Sequence, residues 1–241
     1  MKRMETGPLA SAALRTDLAI ANQILFDHDL NDGYGHVSVR NDGDPNRYVM
    51  LRDIVPGVID PDSAIEFDLN SVPIPGREGH CRERFIHGEI YRCRPDVNAV
   101  VHSHAPELIL FSTLREPLRA LFQTSAFLGA GAPVFEIRDV LPRSDLLISN
   151  AERGEALARS LGSSAVVLMR GHGASIVGTS LIEAIHRTVY AAQNARLQRD
   201  AAHFGDVTYL DAFEHEHIRG GNSYDKAWTF WKERALRRWA R

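Results

Sequence analysis

The chain is poor in cysteine: 241 residues carry two, Cys81 and Cys93. That is too few for a disulfide framework and suits a reducing compartment. No apolar run approaches the roughly 18 residues of a membrane helix. The first residues hold early basic side chains but no apolar core of signal-peptide length. A cytoplasmic protein without a membrane partner is the expectation. A basic block is also missing. Lys plus Arg number 28 against 31 Asp plus Glu, a formal net charge of −3, so no nucleic-acid partner is indicated. Internal repeats, low-complexity tracts and obvious linkers are lacking too. With 44% hydrophobic and 24% charged residues, the composition is that of one folded unit with a proper core.

What is present centres on Val100-Val101-His102-Ser103-His104-Ala105-Pro106. Asn98 to Val101 reads as a short buried strand. Side chains alternate along a strand, so His102 and His104 share a face and can grip one divalent cation. Pro106 cannot extend a ladder and leaves the pair at the end of the strand. A third imidazole, His172, follows the apolar run Val166 to Met169 and is flanked by Gly171 and Gly173, which let backbone come close to a ligand. Three histidines with positions left over describe a catalytic metal rather than a structural one. The plainer alternative is that each is a surface or hydrogen-bonded core histidine.

Read in order, helical spacing runs from about Ala10 to Leu30 and stops at Asp32-Gly33. Strands follow at Tyr34 to Arg40, Tyr48 to Leu51 and Ile65 to Asn70, with turns at Pro56-Gly57 and Pro61-Asp62. Glu78 to Arg92 reads as a helix with Glu83 and His87 on one face. A further helix begins at Pro106, and Val134 to Arg138 reads as a strand. Asn150 caps a helix that Gly162 ends. Ala165 to Arg170 delivers His172, and Ile176 to Gly178 continues beyond the glycines. Leu181 to His203 is the longest helix. Trp231 to Arg241 reads as a basic amphipathic terminal helix with solvated charges. The sum is a central sheet with helices on its faces.

The residues Glu83-x-x-x-His87, Arg94 to His104 and Gly171-His172-Gly173, in this order and spacing, resemble the class II aldolase/adducin family from about Ile20 to Arg199. The resemblance implies a single α/β/α layered domain with a mostly antiparallel sheet. Its core would span about 10–205, with a C-terminal helical extension at 206–241. It implies a homotetramer with sites at subunit interfaces. It also implies His102, His104 and His172 as ligands of a divalent metal, zinc or manganese first and iron or cobalt next, with Glu83 as the acid/base. Sugar-phosphate members carry a Ser-Ser pair before the acid and Gly-Asn in the early strand. Here Cys81-Arg82 and Gly35-His36 stand in those places. Arg82 brings a fork suited to a carboxylate, and His36 brings a titratable donor. Both are therefore candidates for orienting a substrate carboxylate.

The segments around Glu83 and His172 resemble a branch that decarboxylates hydroxylated aromatic or pyridine dicarboxylates. The expected function is a metal-dependent carbon–carbon lyase acting through a metal-stabilised, enolate-like carbanion, with the Glu83 pKa raised toward neutrality by burial. An aldolase or epimerase on a small hydroxy-carbonyl compound is the alternative, and an adducin-like interaction domain is the alternative of another class. Glu83 could instead be an exposed carboxylate paired with Arg84 or His87. His87 reads as a structural hydrogen-bonding residue. His80 and the His215-Glu216-His217 pair read as surface. Tyr224 and Trp228 read as packing aromatics, with a role in covering the site as the rival. Cys81 lacks a base partner and is not read as a nucleophile.

Overall fold

A computed structural model describes residues 9–52, 60–74, 81–218 and 224–239. Pro56-Gly57 and His80 lie outside them. In chain order the elements are α1 (Ala12–Asp27), β1 (His36–Arg40), β2 (Arg47–Leu51), β3 (Ala64–Asp68), α2 (Arg84–Cys93), β4 (Ala99–Ser103) and α3 (Pro106–Thr113). They continue with β5 (Val134–Phe135), α4 (Ala151–Leu161), β6 (Val166–Met169), β7 (Gly173–Gly178), α5 (Leu181–Ala201), α6 (Ala212–Ile218) and α7 (Asp225–Trp239). No helix among these residues is long and apolar enough to cross a membrane.

The strands form one sheet in the order β3-β2-β1-β4-β7-β6-β5. Every pairing is antiparallel except β5 with β6. Alternation along the strands sends side chains to two separate cores. Val37, Val39, Val101, Ala174 and Ile176 pack with residues of α1, α3, α5 and α7 on one face. Tyr48, Met50, Val100, Val167 and Val177 pack with α2 and α4 on the other. This is the expected single three-layer α/β/α domain with a mostly antiparallel sheet.

Local chemistry explains most boundaries. The Ser11 side chain accepts from Leu14 N at 3.1 Å, and that of Asn150 accepts from Arg153 N at 3.0 Å, so both act as N-caps. Gly162 ends α4 at φ +53°, a conformation that costs glycine little. Three expectations need correction. The helix expected from Glu78 begins at Arg84, with Glu83 at its N-cap and making no capping bond, because its carboxylate is engaged elsewhere. The strand expected over 134–138 has two residues. The Glu136 carboxylate accepts from Arg138 N at 3.0 Å and turns the chain into a short 3-10 helix at Ile137–Asp139. The terminal helix starts at Asp225 rather than Trp231, and it buries Trp228, Trp231 and Ala235 in the core shared with α1.

Candidate metal centre

β4 carries His102 on the face covered by α2 and α4. His104 follows just past the strand end, and the two Nε2 atoms stand 2.9 Å apart. The turn between β6 and β7 delivers His172. Gly171 sits there at φ +67°, and a Cβ on Gly173 would lie 2.4 Å from the Ser103 carbonyl oxygen and 3.0 Å from His104 Cδ2. Glycine at 173 therefore lets the two histidine-bearing segments touch. Glu83 comes from the N-terminus of α2. Its Oε2 lies 3.4 Å from His172 Nε2 and 3.8 Å from His102 Nε2. One ligand atom from each of Glu83, His102, His104 and His172 fits within 4.8 Å of the others.

Neighbouring groups orient the rings. His102 Nδ1 faces the Ala174 carbonyl oxygen at 3.2 Å, so Nδ1 is the donor and Nε2 bears the lone pair. His104 Nδ1 faces Asp32 Oδ1 at 3.3 Å, which fixes the same tautomer. Two bare Nε2 lone pairs held 2.9 Å apart repel each other unless a cation lies against both. That donor chemistry, with a carboxylate alongside, fits a divalent metal. Burial, reinforced by the neighbouring imidazoles, holds the pKa of His102 well below the ordinary value, and burial also lowers His104. Neutral rings are what a metal requires.

Glu83 departs from expectation in its protonation. Burial pushes its pKa up, but the hydrogen bond to His172, the adjoining imidazoles of His102 and His172, and the Ile148 N–H together outweigh it and leave the group at about 2. Ile148 N donates to Oε1 at 2.8 Å. The buried carboxylate is thus a base, not a carboxylic acid poised near neutrality. It is also no exposed partner of Arg84 or His87.

His36 lies directly across from His102 in the β1–β4 register, with ring centroids 4.9 Å apart. Arg82 is exposed on the turn before α2. His87 is buried and hydrogen-bonded, as expected of a structural residue. Trp228 is a packing residue, and the Tyr224 ring lies against His186 at 4.6 Å. His217 is exposed and stacks on Phe213, but His215 is turned inward and buried, a correction to the surface reading of that pair. Helical periodicity separates two residues only two apart onto different sides. Asp32, Ser38, Tyr91 and the Ile148 amide also belong to the site, and no sequence motif marks them. Asp32 carried only turn chemistry, and the others are recognisable only once the sheet is assembled.

Residues 16–199 match the model of the Class II Aldolase and Adducin N-terminal domain. The chain belongs to that family. It is 36% identical to Decarboxylase tropJ of Talaromyces stipitatus, over 92% of this chain and 93% of that protein. It is 27% identical to a 3,4-dihydroxyphthalate decarboxylase of Arthrobacter keyseri, again over 92% and 93%. Among solved structures, an L-fuculose 1-phosphate aldolase from Glaciozyma antarctica superposes with a TM-score of 0.75 at 18% identity, covering 94% of this chain and 88% of that one. The last likeness is one of fold.

Proposed function

We propose that the protein is a divalent-metal-dependent decarboxylase of a hydroxylated aromatic or heteroaromatic carboxylate. The observation that carries this reading is an ionised Glu83 beside three convergent imidazoles, in a chain whose matched relatives include one named as a decarboxylase and one named as a decarboxylase of 3,4-dihydroxyphthalate. His102, His104 and His172 would hold the cation, with zinc or manganese the proposed metals. When bound, it supplies a Lewis acid that draws electrons from a substrate oxygen.

The chain's own groups do the rest. Glu83 takes the proton of a substrate hydroxyl and returns it to the ring carbon that bears the carboxyl group. That bond then breaks, carbon dioxide leaves, and its electron pair restores the ring. The Ile148 N–H holds the Glu83 carboxylate in place throughout. Arg82 and His36 orient a carboxylate of the substrate. The assembly is proposed as a homotetramer, as the family resemblance implies, and light scattering gives its mass.

The test is a screen of ortho-hydroxy mono- and dicarboxylates with metal-reconstituted protein. Release of carbon dioxide is expected. Aldehyde release from hydroxy-carbonyl compounds, with no carbon dioxide from any carboxylate, would replace this reading with an aldolase.

A further inference from the structure

Behind the metal centre, four polar side chains run in single file. His36 Nδ1 lies 2.7 Å from His87 Nε2, His87 Nδ1 lies 2.6 Å from Ser38 Oγ, and Ser38 Oγ lies 2.7 Å from the Tyr91 hydroxyl. Ser38, His87 and Tyr91 are buried. At the end nearest the centre, His36 Nε2 is buried and has no hydrogen-bond partner among the described residues. A buried unpaired nitrogen is costly in a folded chain, so it marks a place that a ligand atom completes.

What that nitrogen can bind depends on whether it bears a hydrogen. A neutral imidazole has one N–H and one lone pair, so the file has two self-consistent directions. In the first, Tyr91 donates to Ser38, Ser38 to His87 Nδ1 and His87 Nε2–H to His36 Nδ1. His36 Nε2 then carries a hydrogen. In the second, every bond is reversed and His36 Nε2 is bare, free to act as a further metal ligand. One of the two hydroxyl hydrogens, on Tyr91 or on Ser38, must then find another acceptor.

Burial alone pushes His87 down to about 3, which keeps that ring neutral and the two directions exclusive. Among the described residues, Ser38 Oγ is the only acceptor within reach of the Tyr91 hydroxyl. The second direction therefore strands a hydroxyl hydrogen in the interior, whereas the first puts the one unpaired donor at His36 Nε2, at the end nearest the metal centre, where a ligand oxygen or a water can accept it.

We propose that this relay fixes His36 as an Nε2–H donor that binds a carboxylate or phenolate oxygen of the substrate and does not ligate the metal. Ser38, His87 and Tyr91 are positioning residues that act through His36. The recognition role rests on the carboxylate reading above; the tautomer does not.

Long-range proton–nitrogen correlation spectra of the histidine rings, recorded on the full chain with and without zinc, read the tautomers directly. His36 and His87 are both expected to be protonated on Nε2. Ser38→Ala removes the donor to His87 Nδ1 and should release both rings into mixed tautomers. Tyr91→Phe, which keeps the Ser38 hydroxyl, should do so in part. A His36 ring protonated on Nδ1, or ring signals unchanged in both variants, overturns the relay. Elemental analysis of His36→Ala should show full metal content, and a loss of metal overturns the donor assignment.

Salicylate, with a hydroxyl beside a carboxylate, is the binding probe for calorimetry. Ser38→Ala should weaken it about tenfold, the scale of one hydrogen bond to a charged group. Unchanged affinity with Nε2-protonated His36 overturns the recognition role. Failure of the wild type to bind salicylate counts against the aromatic carboxylate reading, while the ring spectra still decide the tautomer.

Discussion

The Glu83 carboxylate and the Ile148 main-chain amide are joined at 2.8 Å, so the start of α2 is tied to the loop that leads into α4. The bond leaves the other carboxylate oxygen facing His172 and His102. Glu83→Gln keeps the size and loses the negative charge. Turnover in the decarboxylation assay should fall by about 10²–10⁴-fold, the usual contribution of a positioned acid or base. Metal content should persist, because three imidazoles remain. Full turnover in a metal-loaded variant would end the assignment.

Removal of metal should be visible as stability. Wild-type melting temperature should rise on adding zinc to chelator-treated protein, since a ligand that binds only the folded state stabilises it by mass action. His102→Ala and His172→Ala should lose most of that rise. A full zinc-dependent shift in either variant would exclude that histidine as a ligand.

Asp32 faces His104 Nδ1 at 3.3 Å and also accepts from Tyr34 N at 2.8 Å and Gly35 N at 3.1 Å. Asp32→Asn should weaken metal binding by about 10–100-fold, the range for partners that orient a ligand from behind. Competition with a chromophoric chelator measures it. An unchanged constant would mean that the sheet alone orients the ring.

α2 and α4 cross at Gly154, where a Cβ would lie 2.5 Å from the Phe85 carbonyl oxygen and 2.8 Å from Glu89 Cγ. Backbone cannot yield as a flexible side chain can. Gly154→Ala should therefore cost about 1–3 kcal/mol despite the better helix propensity of alanine. Urea unfolding tests this, and a stabilised variant would show that the helices separate freely.

His186 is buried against Tyr190 and Tyr224, at centroid distances of 4.5 and 4.6 Å. Burial, then the charge of Arg187, lowers its pKa from 6.5 to about 4. The unfolded chain binds a proton there more readily than the folded one. The stability from a neutral His186 is thus full above pH 6.5 and is lost as the pH falls toward about 4. The urea midpoint should drop over that window, and more steeply in the wild type than in His186→Gln. Equal slopes would rule out this histidine as the source.

Much of the architecture was legible because it depends on local pattern. The apolar runs at 98–101 and 166–169, the Asn150 cap and the Gly162 stop are properties of a few adjacent residues, and each appears in the structure at or near the expected place. Misreadings arose where a side chain is recruited from afar or turned back on its own backbone. Glu83 lies outside the helix because a loop amide 65 residues away holds it. Glu136 ends its strand by capping a turn.

The primary structure by itself determined the identities of the imidazoles at 102, 104 and 172 and of the acid at 83, because residue type and spacing are written in the chain. Only the tertiary structure decided that their donor atoms converge within 4.8 Å, that Asp32 and Ile148 orient them, and that His36 sits opposite His102. It also decided that the acid is ionised. A pKa is set by the balance between lost water and gained partners, and those partners come from segments that meet only when the sheet closes.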